Sequence, residues 1–339
     1  MIIANISTPL LGLVDTAVMG HLDNASFLAA VALAGLIFNF LFWGFGFLRM
    51  GTAGLSAQAF GANNTLELNA ILLRAMVLAV SISFLLLVFQ QSIAAFSFYL
   101  INCNDSIEPL AQQYFYIRIW SAPACLCQYV ILGWFLGRQN TTSPLLIVVT
   151  TNACNICLDL LFVVHYGMNT EGVALASVLA EYIGLIFGVL LVIRNIPVSS
   201  LSLSWPHLLQ ADKIKAMLLI NGHLFVRTLC LIFTFSFFTV QGAKFGSAIL
   251  AANAILMNFQ TFMAYALDGF AHAAEALIGR ALGAKNKILF QQSIKTTALW
   301  SLLVALLFTL TFNFAGQDII NSLTHLTEVR EPAYEYLPW

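Results

Sequence analysis

Long apolar runs joined by short polar loops make up nearly the whole chain. A helix that crosses a ~30 Å hydrocarbon core needs about 20 mostly apolar residues. Nine stretches of this kind follow one another, near Ile2–Gly20, Phe27–Ala59, Ala70–Phe98, Tyr114–Gly137, Pro144–His165, Gly172–Ile193, Met217–Gln241, Ile249–Ile278 and Thr296–Phe314, and a tenth begins at Ala333. The second and eighth exceed what a perpendicular span requires, so they are expected to tilt or to project beyond the bilayer. Most connections are short and polar: Asp23-Asn24, Gly61-Ala-Asn-Asn64, Asn102 to Glu108, Gly137 to Ser143 and Gly283-Ala-Lys-Asn286. The exception runs from Asn195 to Lys215 and carries Pro197, Trp205 and Pro206. It divides the chain into residues 1–194, a connector over 195–215, and residues 216–339.

Composition agrees with this pattern. The chain is 60% hydrophobic and 9% charged, with mean hydropathy +0.89, against about 45–50% apolar and about 25% charged for a soluble domain. A water-soluble globule is excluded. With a net charge of −1 and no basic face, nothing in the chain reads as a nucleic-acid binder. Arg138, Arg194, Lys213, Lys215, Arg280, Lys285 and Lys287 fall in loops on one side of the alternating spans, and only Lys244 and Arg330 on the other. The basic side is expected to be cytoplasmic, with the N-terminus and the connector facing that compartment.

Laying Gly61-Ala62-Asn63-Asn64 on Gly283-Ala284-Lys285-Asn286 reveals an internal repeat with a shift of 222 residues, the separation of Gly61 and Gly283. Held ungapped, the shift also pairs Gly20 with Gly242, Leu28-Ala29-Ala30 with Leu250-Ala251-Ala252, Phe40 with Phe262, Leu55 with Leu277 and Ala59 with Ala281. Six spans separate the copies, an even number, so both enter from the same side. That predicts a parallel repeat about an axis along the membrane normal, an arrangement of transporters that rock two halves about a central site. Two complete units would need twelve helices, and the chain holds one and a half. The expected fold is therefore an all-α polytopic membrane protein with two parallel-repeat six-helix lobes around a central cavity, the second lobe incomplete in this chain.

Acids inside apolar spans are the candidate functional residues, because an ionised Asp at the bilayer centre costs about 2.5–3.5 kcal/mol on insertion scales. Asp15 lies in the first span, six residues after Pro9. Asp159 lies in the fifth, four residues after Asn155, so the two share one helical face a turn apart. An amide beside a carboxylate offers oxygens to a proton, a hydronium or a sodium ion. The alternative for both acids is a structural hydrogen bond between helices. Glu181, in the sixth span, divides evenly between a site and packing near a helix end. Asp268, His272 and Glu275 share a face of the eighth span at spacings of four and three, which suits a proton relay, although a satisfied polar cluster is favoured and the spacing alone does not make a zinc site. Arg49 and Arg227 are expected to neutralise some of these acids.

Other signals carry less. Five of the six cysteines, Cys125, Cys127, Cys154, Cys157 and Cys230, sit in apolar runs, where a thiol packs as a small hydrophobe. Gly44-Phe-Gly46, followed by Gly51 and Gly54, has no preceding strand and so is no phosphate loop. Small residues there are expected to permit close helix packing. No Ser/His/Asp triad, P-loop or haem motif stands out.

These residues identify a resemblance. Asn5-Ile-Ser-Thr-Pro-Leu-Leu-Gly-Leu-Val-Asp-Thr-Ala-Val-Met-Gly-His21, Asn155-Ile-Cys-Leu-Asp159, Gly172-Val-Ala-Leu-Ala-Ser-Val-Leu-Ala-Glu-Tyr182 and the stretch from Leu250-Ala-Ala-Asn-Ala to Ala271-His-Ala-Ala-Glu-Ala-Leu-Ile-Gly-Arg280 resemble the multidrug and toxic compound extrusion (MATE) family, in its DNA-damage-inducible protein F branch. The likeness covers essentially the whole chain. It implies two six-helix lobes around a V-shaped cavity, and antiport of amphipathic, often cationic compounds against protons or sodium. By position it implies a cation-coupling site of Asp15, Asn155, Asp159 and Ser177. Asn221-Gly-His223 departs from the Asn-Arg-Asp usual in this branch. Asp15 maps by the repeat onto Phe237, so the lobes are chemically unequal and coupling is expected in the N-terminal one.

The expected function is thus secondary active multidrug efflux by alternating access. No enzyme activity, no metal and no cofactor is expected, with a proton, or else sodium, as coupling ion. Expected partners are drug-like small molecules and the lipid bilayer, with no nucleic acid and a monomeric state; the expected place is the bacterial inner membrane. Two alternatives stay open: a flippase for a lipid-linked precursor from the same superfamily, and a non-transporting remnant, since the first helix looks cropped and two to three helices are expected beyond Trp339. An intramembrane enzyme would need paired aspartate signatures or a metal-ligand constellation, and neither is present.

Overall fold

The computed structural model describes residues 25–101, 107–196 and 208–338, and every regular element among them is helical. Eight helices there are long and apolar enough to cross a membrane. They coincide with the second to ninth predicted spans; the first, Ile2–Gly20, and with it Asp15, lies outside the described residues.

Four of the spans are interrupted for identifiable reasons. Helices α1 (Ala25–Gly44) and α2 (Phe47–Gly61) meet at a tight turn, where Phe45 and Gly46 donate to the carbonyls of Phe42 and Trp43 three residues back. A Cβ built on Gly44 would meet nothing within 4 Å. Gly44 and Gly46 thus make a kink, while the close packing expected of this run of small residues is found at Gly51, where a Cβ would lie 2.0 Å from Asn221 Oδ1. The next span breaks at Phe89 into α3 (Thr65–Val88) and α4 (Gln90–Ile101). Between α5 (Glu108–Arg118) and α6 (Ala122–Gly137) a single 3₁₀ turn leads to Pro123 in the first turn of α6, where its missing N–H costs no hydrogen bond. Helix α7 (Thr142–Asp159) runs into a π-helical turn at Leu160–His165, followed by α8 (Thr170–Asn195).

The remaining helices are longer than hydropathy alone suggests. Helix α9 covers Ala211–Lys244, α10 Ser247–Gly283 and α11 Lys287–Leu323. At 1.5 Å per residue the last two reach about 55 Å, because polar ends such as Gln291, Gln292 and Lys295 continue a helix that apolar windows see only at its centre. The segment read from Ala333 belongs to a ten-residue helix, α12 (Thr327–Tyr336), which begins six residues earlier and packs Val329 and Ala333 in a cluster with Ala252 and Phe259 of α10.

A large apolar core joins α1 to α8 and takes in Met217 of α9; Trp134, Phe115 and Phe135 are its largest enclosed side chains. Helix α6 sits at its centre. By contrast, α11 exposes Leu299, Trp300, Leu303, Leu306, Leu307, Leu310 and Phe314, a surface stable against lipid and not against water.

The repeat reappears as identical loop geometry. Ala62 N–H donates to Gln58 O and Asn64 N–H to Ala59 O, while at the shifted positions Ala284 donates to Arg280 O and Asn286 to Ala281 O, all at 2.9–3.0 Å. Asn63 and Lys285 both take left-handed backbone, with φ of 53° and 52°. The side chains of Asn64 and Asn286 then cap α3 and α11 by accepting from Glu67 N and Leu289 N. Between the two loops the helices cross at backbone contact. A Cβ on Gly61 would lie 2.0 Å from Arg280 O, and one on Gly283 would lie 1.9 Å from Gln58 O. Gln58 and Arg280 are themselves repeat partners, so the contact is reciprocal, as a local twofold axis requires.

At this same end Arg280 donates to Gln139 Oε1 at 2.7 Å and stacks on Phe60. Arg74 donates to Glu67 at 2.9 Å and to the carbonyl of Leu208, and Lys213 approaches Glu67 at 3.7 Å. Replacing Gly283 by Leu is expected to force α2 and α10 apart and to lower stability by about 1–3 kcal/mol, the usual cost of overpacking. Thermal unfolding in detergent measures it, with Gly35→Ala, where a Cβ meets nothing within 4 Å, as the control that stays near wild type.

Candidate functional site

Helices α7 and α8 face each other through a line of polar side chains in an otherwise apolar seam. Thr151, Asn155 and Asp159 recur every fourth residue on α7, and all are buried, Asp159 completely. Eight residues of helix separate the first from the last, a rise of about 12 Å. Opposite them, α8 presents Ser177 and, one turn on, Glu181. Asn155 Nδ2 donates to Ser177 Oγ at 3.4 Å, so the structure brings together two members of the expected coupling set with Asp159 one turn away. Asp159 is also the last residue before the π-helical turn. Such turns arise where an α-helix carries an extra residue, and they are frequent at functional sites.

Glu181 lies in the middle of α8, not near a helix end as expected. Gln128 of α6 holds it: the amide Nε2 donates to Glu181 Oε2 at 2.6 Å and to the Glu181 carbonyl at 2.8 Å. The other end of that amide, Oε1, lies 3.4 Å from the Thr151 hydroxyl, which also donates to the Ile147 carbonyl. Gln128 therefore ties α6, α7 and α8 together. Gly184 makes this junction possible, because a Cβ there would stand 2.0 Å from Thr151 Oγ1 and 3.1 Å from both amide heads of Gln128. The Arg118 guanidinium at the end of α5 lies within electrostatic reach of Glu181. Gln128 escaped the sequence reading, which followed acids and the polar groups on their own helical face; a lone amide inside Cys125-Leu-Cys-Gln-Tyr-Val-Ile was the available signal.

On α10 the expected trio is only partly assembled. His272 is buried and its Nδ1 lies 3.5 Å from Glu275 Oε2, whereas Asp268 makes no hydrogen bond or ion pair with either. No three His, Cys, Asp or Glu side chains among the described residues could hold a metal. Arg49 and Arg227 do not neutralise these acids: among the described residues neither forms an ion pair, and Arg227 donates only to the Met50 thioether at 3.4 Å. The five described cysteines are free thiols, two of them buried.

A family model described as MatE matches residues 1–161 and 224–339. The chain belongs to the MatE family. It is 40% identical over 344 aligned residues to DNA damage-inducible protein F of Escherichia coli, an alignment that covers all of this chain and 74% of that protein. Protein DETOXIFICATION 44 of Arabidopsis thaliana is 28% identical over 80% of this chain and 53% of its own length. The fold matches the Vibrio cholerae MATE transporter VcmN in its bent form with a TM-score of 0.86 at 22% identity, over the whole chain and 76% of that protein. The MatE protein is therefore a multi-span transmembrane transporter, and the all-helical fold expected from its hydropathy is the fold found.

In this MATE-family protein the Gln128–Glu181 pair should show strong coupling. A double-mutant cycle of Gln128→Leu and Glu181→Gln is expected to return an interaction energy of about 1–3 kcal/mol in chemical or thermal unfolding, since a charge-assisted bond in low dielectric is lost only once. A cycle between Gln128 and Asn155, which share no bond, should return a value near zero.

Proposed function

We propose that the protein is a secondary active efflux antiporter, exporting amphipathic compounds in exchange for protons, with sodium as the alternative coupling ion. The observation that carries this reading is the enclosure of Asp159 beside the Asn155–Ser177 pair, at bilayer depth, on helices of a MATE-family chain. Acids so placed are rare in membrane spans and mark ion or proton pathways by default. Asp15, from the first span, completes the proposed coupling set of Asp15, Asn155, Asp159 and Ser177. Alternating access is the proposed cycle: cation binding to these acids from one side repacks the N-terminal lobe and expels the exported compound, and exposure to the other side releases the cation.

The reciprocal crossing of α2 and α10 supports two lobes related by an axis along the membrane normal, residues 1–194 and 216–339 joined by the connector. Basic residues support the proposed orientation in a bacterial inner membrane with the N-terminus cytoplasmic. Arg138, Arg280, Lys285 and Lys213 belong to the loops and helix ends that meet around the Gly61–Gly283 crossing, and the positive end of a multi-span protein faces the cytoplasm.

Reconstitution into liposomes tests the reading. An imposed pH gradient should drive a fluorescent amphipathic dye against its own gradient, and joint replacement of Asp15 and Asp159 by Asn should reduce that movement at least tenfold. A double variant that still couples dye movement to the pH gradient overturns the proposal. A sodium gradient imposed at equal pH distinguishes the two ions.

A further inference from the structure

Two arginines at bilayer depth are left over once the polar seam is accounted for. Arg49 stands twelve residues before the cytoplasmic end of α2 and Arg227 sixteen residues into α9, distances of about 18 Å and about 24 Å along the two helix axes. Both fall inside membrane-spanning stretches. The helices are in contact here: Arg227 Nη2 reaches Met50 Sδ at 3.4 Å, and Met50 follows Arg49 in sequence. A thioether is a weak acceptor and offers a guanidinium no charge. Arg49 is half-buried, and its Nε is enclosed with no hydrogen-bond partner among the described residues. The titratable group it faces on α6 is the Tyr129 phenol. The next acid beyond, Glu181, is already held by Gln128 and lies against Arg118.

An arginine in a membrane span costs about 2.5–3.5 kcal/mol on insertion scales, and such residues almost always pair or face a polar cavity. Two of like sign beside one helix contact, with no acid paired to either among the described residues, demand a counter-charge from elsewhere. Past the kink, where α1 takes the place of α2 beside α9, the surface becomes aromatic. Trp43 is 42% exposed and its ring lies 6.1 Å from that of Phe235.

We propose that Arg49 and Arg227 together bind the oxyanion head of an amphipathic ligand, a carboxylate, sulfonate or phosphate, whose apolar body lies along Trp43 and Phe235. The site draws one arginine from each side of the α2–α9 contact. It refines the substrate class of the efflux reading and rests on that reading only for calling the occupant a cargo. A planar guanidinium recognises an oxyanion through paired N–H donors and is less strongly hydrated than an ammonium, which suits a head group entering from the bilayer.

Binding tests the site without any ion gradient, so a failure of coupling and a failure of this site are separately visible. The whole protein in phosphatidylcholine nanodiscs is titrated with dansyl-undecanoate and with a dansyl-alkyl-trimethylammonium of equal chain length, following dansyl emission. Arg49→Gln and Arg227→Gln should each weaken the carboxylate probe at least tenfold and leave the ammonium probe within twofold. The two variants are scored separately on folded protein, so that either one alone decides. Equal losses for both probes, or no loss for the carboxylate, overturn the proposal. Adding phosphatidylglycerol identifies the source of the oxyanion. Competition seen in wild type and abolished in Arg227→Gln means a lipid head group occupies the site, whereas retained affinity means a free amphipathic solute does.

Discussion

The backbone contact between α2 and α10 is the constraint on which the arrangement depends. Two helices can approach until a carbonyl touches a Cα only where both supply glycine, and here Gly61 meets Arg280 O while Gly283 meets Gln58 O. The crossing brings the two copies of the repeat together at their loops and places Arg280 over Phe60 and against Gln139. It also sets the spacing of everything outward of it, including the α2–α9 contact that carries Met50 and Arg227. Packed contacts of this kind are either made or broken and do not stretch. Under alternating access, opening this end means losing the crossing and the Arg280–Gln139 bond as one unit.

A second close approach organises the polar seam. Gly184 allows α8 to pass Thr151, and the space so defined admits the amide of Gln128, which answers Thr151 with one end and Glu181 with the other. Three helices are thereby tied in a low-dielectric interior, where a satisfied bond is strong and an unsatisfied one is costly. The enclosed Asp159 stands two turns from Thr151, next to a π-helical turn whose backbone is less regular than the helix before it. A rigid junction at one end of the line and an irregular turn at the other is a sensible division between scaffold and moving part.

Much of this was legible in the chain. Apolar runs of membrane length located eight of the described spans, and the glycine-asparagine loops announced a repeat that the structure shows down to matched carbonyl acceptors and matched left-handed residues at Asn63 and Lys285. Spacing of four put Asn155 and Asp159 on one face. What hydropathy could not show was the breaks, because a kink at Phe45–Gly46 or a π turn after Asp159 changes hydrogen bonding without changing apolar content. Nor could it show the full length of α11, whose ends are polar. Glu181 was weighed as packing near a helix end, whereas α8 runs Thr170–Asn195 and holds it eleven residues in. Gln128 was missed because its role is set by a neighbour 53 positions away, a relation that no local pattern encodes.

Charge at bilayer depth connects the remaining pieces. Asp159 and Glu181 lie in the N-terminal helices together with Arg118, and Glu181 is already satisfied by a hydrogen bond and a nearby guanidinium. Arg49 and Arg227 straddle the boundary between α2 and α9 without such an arrangement. Had the arginines served only to neutralise acids, the chain would have brought them to Asp268 or Glu275, the acids of α10; instead Arg227 reaches the Met50 thioether and Arg49 faces the Tyr129 phenol. An exchanger that carries cations on one set of groups and cargo on another has reason to keep the two sets apart in sign as well as in space. A proton or sodium ion arriving at a carboxylate then gains nothing by moving to the arginine pair, and an oxyanion at the arginine pair gains nothing by moving to the acids. On the proposed reading, opposite charge at the two sites separates ion from cargo without a wall between them.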